Sequence, residues 1–369
     1  MDGPKKIETL EETPEIKISV SDGDPLIGTT LPNTHYRVEE LIGSGAFGVV
    51  YKATHLHLKV PVAIKMLDMR RMPEKEDLLR FRQEAQTYAQ LSHPNVVRLF
   101  DFGVTGDGAP YMVLEYVEGF TLREWIRKRG QLENREAILI AKQIASALHQ
   151  AHQKGIVHRD IKPENIFLVD LGARRFHVKV SDFGIAKITG NEDQTLTATG
   201  ATLGTPLYMS PEQMHGMPVD GRSDFYSLGC MLYEMMTGRP PYTGASSIEL
   251  SQKHFSEPFP KDYPEIVWPS LKKIIEVCTK KDREERWENA EALEEAFSAA
   301  LEHVDAREIT QLAEITSTSK YRRRMMTMNL TVTVVGLIFM TWAMWQLMKV
   351  IDDIKHLPHR PASTQQNSQ

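Results

Sequence analysis

Two short runs, in a fixed order, restrict this chain more than anything else in it. His158-Arg159-Asp160-Ile161-Lys162-Pro163-Glu164-Asn165 is followed, seventeen residues after Asn165, by Asp182-Phe183-Gly184. The first run sets a carboxylate, Asp160, and a side-chain amide, Asn165, five positions apart on one loop. The second adds another carboxylate in front of a glycine. Hard oxygen donors of this kind suit a magnesium ion that completes its shell with phosphate oxygens and water. Each residue alone reads as a loop cap or turn former. Together, at this spacing, they ask for a site that handles phosphate.

A second signal lies upstream. Leu41-Ile42-Gly43-Ser44-Gly45-Ala46-Phe47-Gly48-Val49-Val50 carries GxGxxG, a pattern that dinucleotide-binding folds also use. There the glycines open a helix whose N-terminus faces the pyrophosphate. Here the apolar β-branched run Val49-Val50-Tyr51 continues past them and predicts a strand. Val62-Ala63-Ile64-Lys65 reads as a buried strand with one lysine, which taken alone is a side chain snorkelling to water. Leu78 to Tyr88 places Phe81, Ala85 and Tyr88 at helical spacing, with Glu84 among them.

Taken together these runs resemble the Hanks-type protein kinases, and among them the bacterial serine/threonine branch, from about Tyr36 to about Leu301. The resemblance implies ATP and Mg²⁺ as cofactors and proteins with Ser/Thr acceptors as substrates. It makes Asp160 the group that accepts the hydroxyl proton, and Lys162 the ammonium beside the transferring phosphoryl group. Asn165 and Asp182 become the magnesium ligands. Lys65, aimed by an ion pair with Glu84, would meet the α- and β-phosphates. The ATP-binding set it implies is Ile42, Gly43, Ser44, Gly45, Ala46, Phe47, Gly48, Val50, Ala63, Lys65, Glu115, Val117 and Phe167. The Glu115 carbonyl and Val117 N–H would bond the adenine, with Leu114 behind them as gatekeeper.

Downstream, Gly204-Thr205-Pro206-Leu207-Tyr208-Met209-Ser210-Pro211-Glu212 resembles the segment on which serine/threonine kinases dock their polypeptide. Ser210 departs from the usual alanine. Thr205 would bridge Asp160 and Lys162, Glu212 would pair with Arg286, and Asp224 would brace the catalytic loop. Arg159, a guanidinium beside the catalytic aspartate, fits a phosphate on the segment before Glu212. Thr197 and Thr199 lie where related kinases autophosphorylate. The competing readings are a pseudokinase scaffold and a small-molecule kinase of related fold. Lys65, Asp160, Asn165 and Asp182 are all present, against the first; the docking segment argues against the second.

The expected fold is α+β in two lobes, a β-rich N-lobe with one helix (35–118) and a mainly α-helical C-lobe (119–301), followed by a single transmembrane helix. Ala137, Ile140, Ala141, Ile144, Ala147, Leu148 and Ala151 recur at three and four, predicting a long amphipathic helix before the catalytic loop. Phe225 to Tyr233 is apolar nearly all round and predicts a helix through the C-lobe core. Asn289 is read as the cap of the last helix. Residues 1–34, acidic and broken by Pro4, Pro14, Pro25 and Pro32, read as a disordered leader.

From Leu330 to Met348, nineteen residues pass without a charge. A helix of that length spans roughly 28 Å, near the hydrocarbon thickness of a bilayer. Lys320, Arg322, Arg323 and Arg324 precede it in a basic juxtamembrane linker (302–329), and Trp342 and Trp345 suit an interface. Positive-inside then sets the kinase domain in the cytoplasm, the helix in the inner membrane, and the short tail 349–369 outside. The bilayer is thus one expected partner and a homodimer another. The formal net charge of −5 carries no nucleic-acid signature. Cys230 and Cys278 fit unpaired thiols in a reducing compartment.

Overall fold

In the N-lobe, β1 (Tyr36–Gly45), β2 (Gly48–His55), β3 (Val60–Leu67), β4 (Leu99–Val104) and β5 (Pro110–Glu115) form an antiparallel sheet of order β1-β2-β3-β5-β4. The structure is a computed structural model that describes residues 24–45, 48–67, 75–106, 108–183 and 206–302. The alternation along β3 explains how one lysine comes to face the cleft. Val62, Ile64 and Met66 join Leu31, Tyr36, Val38, Tyr51, Tyr111 and Val113 in a cluster on one face. Ala63 and Leu67 turn the other way, into the main core with Phe81, Ala85 and Tyr88. Lys65 shares their face and is itself buried.

The one N-lobe helix among the described residues, α1 (Lys75–Ala89), takes the expected register, with Phe81, Ala85 and Tyr88 buried. The Tyr88 hydroxyl donates to the Val97 carbonyl at 2.6 Å, tying α1 to the approach to β4.

One boundary differs from expectation. Residues 24–34, read as the end of a disordered leader, are packed on the sheet. Leu31 is 1% exposed, Gly28 N–H donates to Val38 O at 3.0 Å, and Val38 N–H returns to Thr29 O at 2.9 Å. The Tyr51 hydroxyl reaches the Asp24 carboxylate at 2.7 Å. Pro25 and Pro32 bracket a short apolar stretch that closes the open face of the cluster rather than interrupting order.

The C-lobe follows a two-residue strand, β6 (Phe120–Thr121), and helix α2 (Leu122–Arg129). A reciprocal Thr121–Glu124 box caps α2 and Gly130, at φ +73°, ends it. Helix α3 (Asn134–Gln153) buries the expected apolar stripe from Ala137 to Ala151. Strands β7 (Ile166–Asp170) and β8 (Phe176–Val180) pair with β6 in a small sheet. The rest is helical: α4 (Pro211–Met214), α5 (Gly221–Thr237), α6 (Ser247–Ser256), α7 (Pro269–Cys278) and α8 (Ala290–Leu301). Every residue of α5 from Arg222 to Met236 is buried. Asn289 caps α8 through Ala292 N–H at 2.9 Å, as its side chain suggested. Cys230 and Cys278 are free and buried.

Among the described residues no helix is long and apolar enough to cross a membrane. The run from Leu330 to Met348 lies outside them, as do the linker from residue 303 on and the tail.

Candidate active site

The loop between α3 and β7 is shaped by a carboxylate beneath it. Asp224, in the first turn of α5 and fully buried, accepts His158 N–H at 2.9 Å and Arg159 N–H at 2.8 Å. His152 Nε2, from the end of α3, lies 2.7 Å from the same carboxylate. Burial pushes the Asp224 carboxyl up, but the hydrogen bond and charge of His152, with the His158 N–H, hold it below the usual carboxylate range. Two successive backbone donors turned toward one side chain force a bend, and Arg159 takes a left-handed φ of +68° to make it.

The bend presents Asp160. Lys162 Nζ donates to Asp160 Oδ2 at 2.7 Å. Asn165, in a tight turn started by Pro163, gives its Nδ2 to the Asp160 carbonyl at 2.8 Å and to Oδ2 at 3.0 Å. Backbone and side chain of Asp160 are therefore both held. With its nitrogen so engaged, Asn165 has its amide oxygen to offer a cation.

His158 couples this loop to the second motif. Its Nε2 is 2.8 Å from the Ser181 carbonyl. A carbonyl can only accept, so the ring carries its proton on Nε2 and offers Nδ1 to Asp160 N–H at 3.2 Å. Phe183, also buried, packs against the His158 ring at 4.5 Å between centroids and against Tyr88 of α1 at 6.1 Å.

Asp182, at φ +66°, meets the N-lobe directly: Lys65 Nζ lies 2.8 Å from its Oδ1. Burial raises the Asp182 carboxyl, and the Lys65 ammonium outweighs it with help from Lys162, so the group stays ionised. The Lys65–Glu84 pair that the resemblance implies is not among the ion pairs of the described residues; Glu84, on α1, has a partner of its own.

The glycine hairpin covers this cleft through the β1–β2 register Gly43↔Val50 and Gly45↔Gly48. Gly48 has φ +135°, and a Cβ there would lie 1.9 Å from the Met66 carbonyl oxygen, so only glycine fits. Ile42 is exposed at the rim and Ser44 pairs with Val49; Val50, Val117 and Phe167 are half-buried, and Ala63 faces the cleft side of β3. Ala46, Phe47, Gly184, Thr197, Thr199 and Thr205 lie outside the described residues.

At the far end of the cleft, the Glu115 carboxylate receives Lys179 Nζ at 2.8 Å and Arg98 N–H at 3.1 Å. Lys179 belongs to β8, three residues before Asp182. This link was not foreseen, although the in–out alternation along β8 points Lys179 at the hinge. Farther out, Glu212 and Arg286 form a buried two-pronged pair at 2.6 and 2.9 Å, with Ser223 Oγ on Glu212 at 2.6 Å.

The donor set fits a magnesium-bound nucleotide. Two protein oxygens, from Asp182 and Asn165, face the same cleft as Lys65, and a magnesium ion takes its remaining ligands from phosphates and water. Among the described residues no group of three His, Cys, Asp or Glu side chains could hold a metal by itself.

Comparison with known proteins gives a consistent picture. A family model described as protein kinase domain matches residues 36–298. A probable serine/threonine-protein kinase of Clostridium acetobutylicum is 40% identical over 293 residues, covering 78% of this chain and 43% of that protein. The serine/threonine-protein kinase PrkC of Bacillus subtilis is 41% identical over 279 residues, covering 75% and 42%. The chain thus spans less than half the length of both. Among solved structures, the Mycobacterium tuberculosis PknI kinase domain matches with TM-score 0.56 and 26% identity, over 73% of this chain and 97% of that one.

Proposed function

The chain belongs to the protein kinase family, in its bacterial serine/threonine branch, and from that membership we propose that it phosphorylates serine and threonine hydroxyls of proteins at the inner face of a membrane. Members of the family use ATP and, as a rule, magnesium.

One observation carries the reading: Lys162 and Asn165 converge on Asp160 while Lys65 reaches Asp182 across the cleft. ATP supplies the γ-phosphoryl group, and magnesium the charge that offsets its oxygens. Asp160, held at backbone and side chain, orients the acceptor hydroxyl and takes its proton. Lys162 neutralises charge on the transferring group, and Asn165 and Asp182 offer their oxygens to the cation. Lys65 would leave Asp182 for the phosphates, and the Glu115 and Val117 backbone would hold the adenine.

The finer parts of the proposal concern setting and control. The uncharged run Leu330–Met348, behind the basic cluster Lys320 to Arg324, supports a single membrane span with the kinase domain in the cytoplasm and residues 349–369 outside. Arg159 beside Asp160 supports autophosphorylation at Thr197 or Thr199, and a homodimer would allow it in trans.

The test is transfer of radiolabel from ATP to a generic acceptor protein, comparing the chain with its Asp160→Ala variant. Label on self or acceptor with the first and none with the second is expected; no label from the unaltered chain overturns the activity. Carbonate-washed membranes from expressing cells should retain the chain, and mass spectrometry after incubation with ATP should find phosphate on Thr197 or Thr199. A soluble chain, or full activity without either phosphate, would remove the corresponding part.

A further inference from the structure

Gln213 is the third residue of α4, and its amide bonds in two directions. Oε1 accepts Ser210 N–H at 3.2 Å and the Ser210 hydroxyl at 2.9 Å, within the reciprocal box that caps the helix. Nε2 donates to the Arg159 carbonyl at 2.9 Å, 54 residues earlier in the chain. The two ends cannot be exchanged. A backbone N–H only donates and a carbonyl only accepts, so the oxygen must face Ser210 and the nitrogen must face Arg159.

The helix cap alone does not call for an amide. Glu completes the same box as readily as Gln, and a carboxylate accepts from an N–H and a hydroxyl more strongly than an amide oxygen does. What a carboxylate lacks is a donor, and a donor is what the Arg159 carbonyl receives. That carbonyl belongs to the peptide group joining Arg159 to Asp160. The N–H of the same group meets His158 Nδ1 at 3.2 Å, so the plane is held at both edges. Arg159 itself stands at φ +68°, with its own N–H on Asp224 at 2.8 Å. A non-glycine residue keeps that conformation only where its surroundings fix it from several sides. Asp224 supplies the hold from the C-lobe core, and Gln213 supplies it from the docking segment.

Resting on the kinase reading, we propose that Gln213 is a positioning residue of the transfer reaction. It fixes the Arg159–Asp160 peptide plane and so aims the Asp160 carboxylate at the acceptor hydroxyl. The same amide caps the helix in which the docking segment ends. A shift of Ser210 is therefore passed to the catalytic loop through one side chain, which links the seating of the acceptor polypeptide to the aim of the base.

The experiment compares the unaltered chain with Gln213→Glu and Gln213→Met in peptide phosphorylation at saturating ATP, from about pH 5.5 to about pH 8.5. Each variant's rate is taken as a ratio to that of the unaltered chain at the same pH, and melting curves establish that the protein is folded. Gln213→Glu keeps the cap but sets a carboxylate oxygen against the Arg159 carbonyl. Near the alkaline end its kcat should be about 10–100-fold lower, with KM for ATP within about twofold. The carbonyl raises the pKa of the introduced carboxyl, and below that pKa the protonated form donates again. The ratio should therefore climb as pH falls, by up to about tenfold per unit. Gln213→Met has no donor at any pH, so its kcat should fall by a similar factor with a flat ratio. A Gln213→Glu ratio near one at the alkaline end, or a loss that acidification does not recover, assigns Gln213 to the helix cap alone and overturns the proposal. Should Gln213→Glu fail to fold, Gln213→Met decides: undiminished kcat in a folded protein overturns the proposal, and a pH-independent loss of kcat with unchanged KM for ATP supports it. Failure of the unaltered chain to label any peptide would instead count against the kinase reading.

Discussion

Lys65 and Asp182 stand 117 residues apart in the chain and 2.8 Å apart across the cleft. One belongs to β3 of the N-lobe, the other to the segment after β8 of the C-lobe, and the Lys65 ammonium holds the Asp182 carboxyl below its usual range against the pull of burial. The contact holds together two groups that substrate phosphates and a cation would later separate. Exchange of one set of charge partners for another avoids exposing either group bare in the cleft.

Lys65→Met should therefore do two things. Transfer should fall by about 10²–10³ or more in kcat/KM, the scale for losing one preorganised charge stabiliser. The Asp182 carboxyl, left with burial and without its ammonium, should titrate higher, moving the acid limb of the pH–rate profile upward. Single-turnover assays across pH, with melting curves as control, check both.

Asp224→Asn keeps the shape and loses an acceptor, since an amide has one oxygen for the two N–H groups of His158 and Arg159. The left-handed Arg159 backbone then lacks part of its support. A stability loss of about 1–3 kcal/mol is expected, with a drop in kcat that exceeds what any change in KM for ATP explains. Urea titration alongside steady-state kinetics separates the two.

The Glu212–Arg286 pair is nearly sealed from water, with side chains 7% and 0% exposed. Arg286→Met should cost about 3–5 kcal/mol, because it strands a buried carboxylate. Replacing both residues with apolar ones should recover much of that loss. Chemical denaturation of the two single variants and the double variant makes the measurement.

His254 gives the fold a pH dependence. It is fully buried, with Nδ1 2.9 Å from the Tyr226 hydroxyl, and burial, then the nearby Lys281 ammonium, push its pKa down from 6.5 to about 3. As pH falls below the unfolded value, the unfolded chain takes up a proton that the folded one refuses. Stability should drop from near pH 6.5 toward pH 3, approaching about 1.4 kcal/mol per unit. The ionised Asp182, Asp224 and Glu212 add losses in the same direction at lower pH. In His254→Gln the slope between about pH 4 and 6 should flatten by one proton's worth; an unchanged slope would assign the acid sensitivity elsewhere.

The catalytic loop could be read from the sequence because its residues come in a contiguous, ordered motif. The stripes on α1 and α3 were legible because burial there follows helical spacing. What escaped reading depends on backbone groups and on distance along the chain. The Ser181 carbonyl that orients His158, and Lys179 on the Glu115 carboxylate, leave no mark in composition. Arg123 makes contacts 41, 85 and 111 residues away. Residues 24–34 misled because Pro25 and Pro32 look like breaks, whereas the intervening Leu31 is a core residue. The Lys65 contact with Asp182 depends on how the lobes meet, which no local pattern encodes.

Helix α5 has no wet face, and it holds Asp224 near one end and Glu234 near the other. The amide protons of His158 and Arg159 end on a carboxylate that solvent reaches only when this helix leaves its neighbours. Their exchange with deuterium should thus be slow, with an opening free energy close to that of global unfolding, unlike that of most surface loops. The reactive loop shares the lifetime of the C-lobe, and its geometry would persist until the lobe itself comes apart.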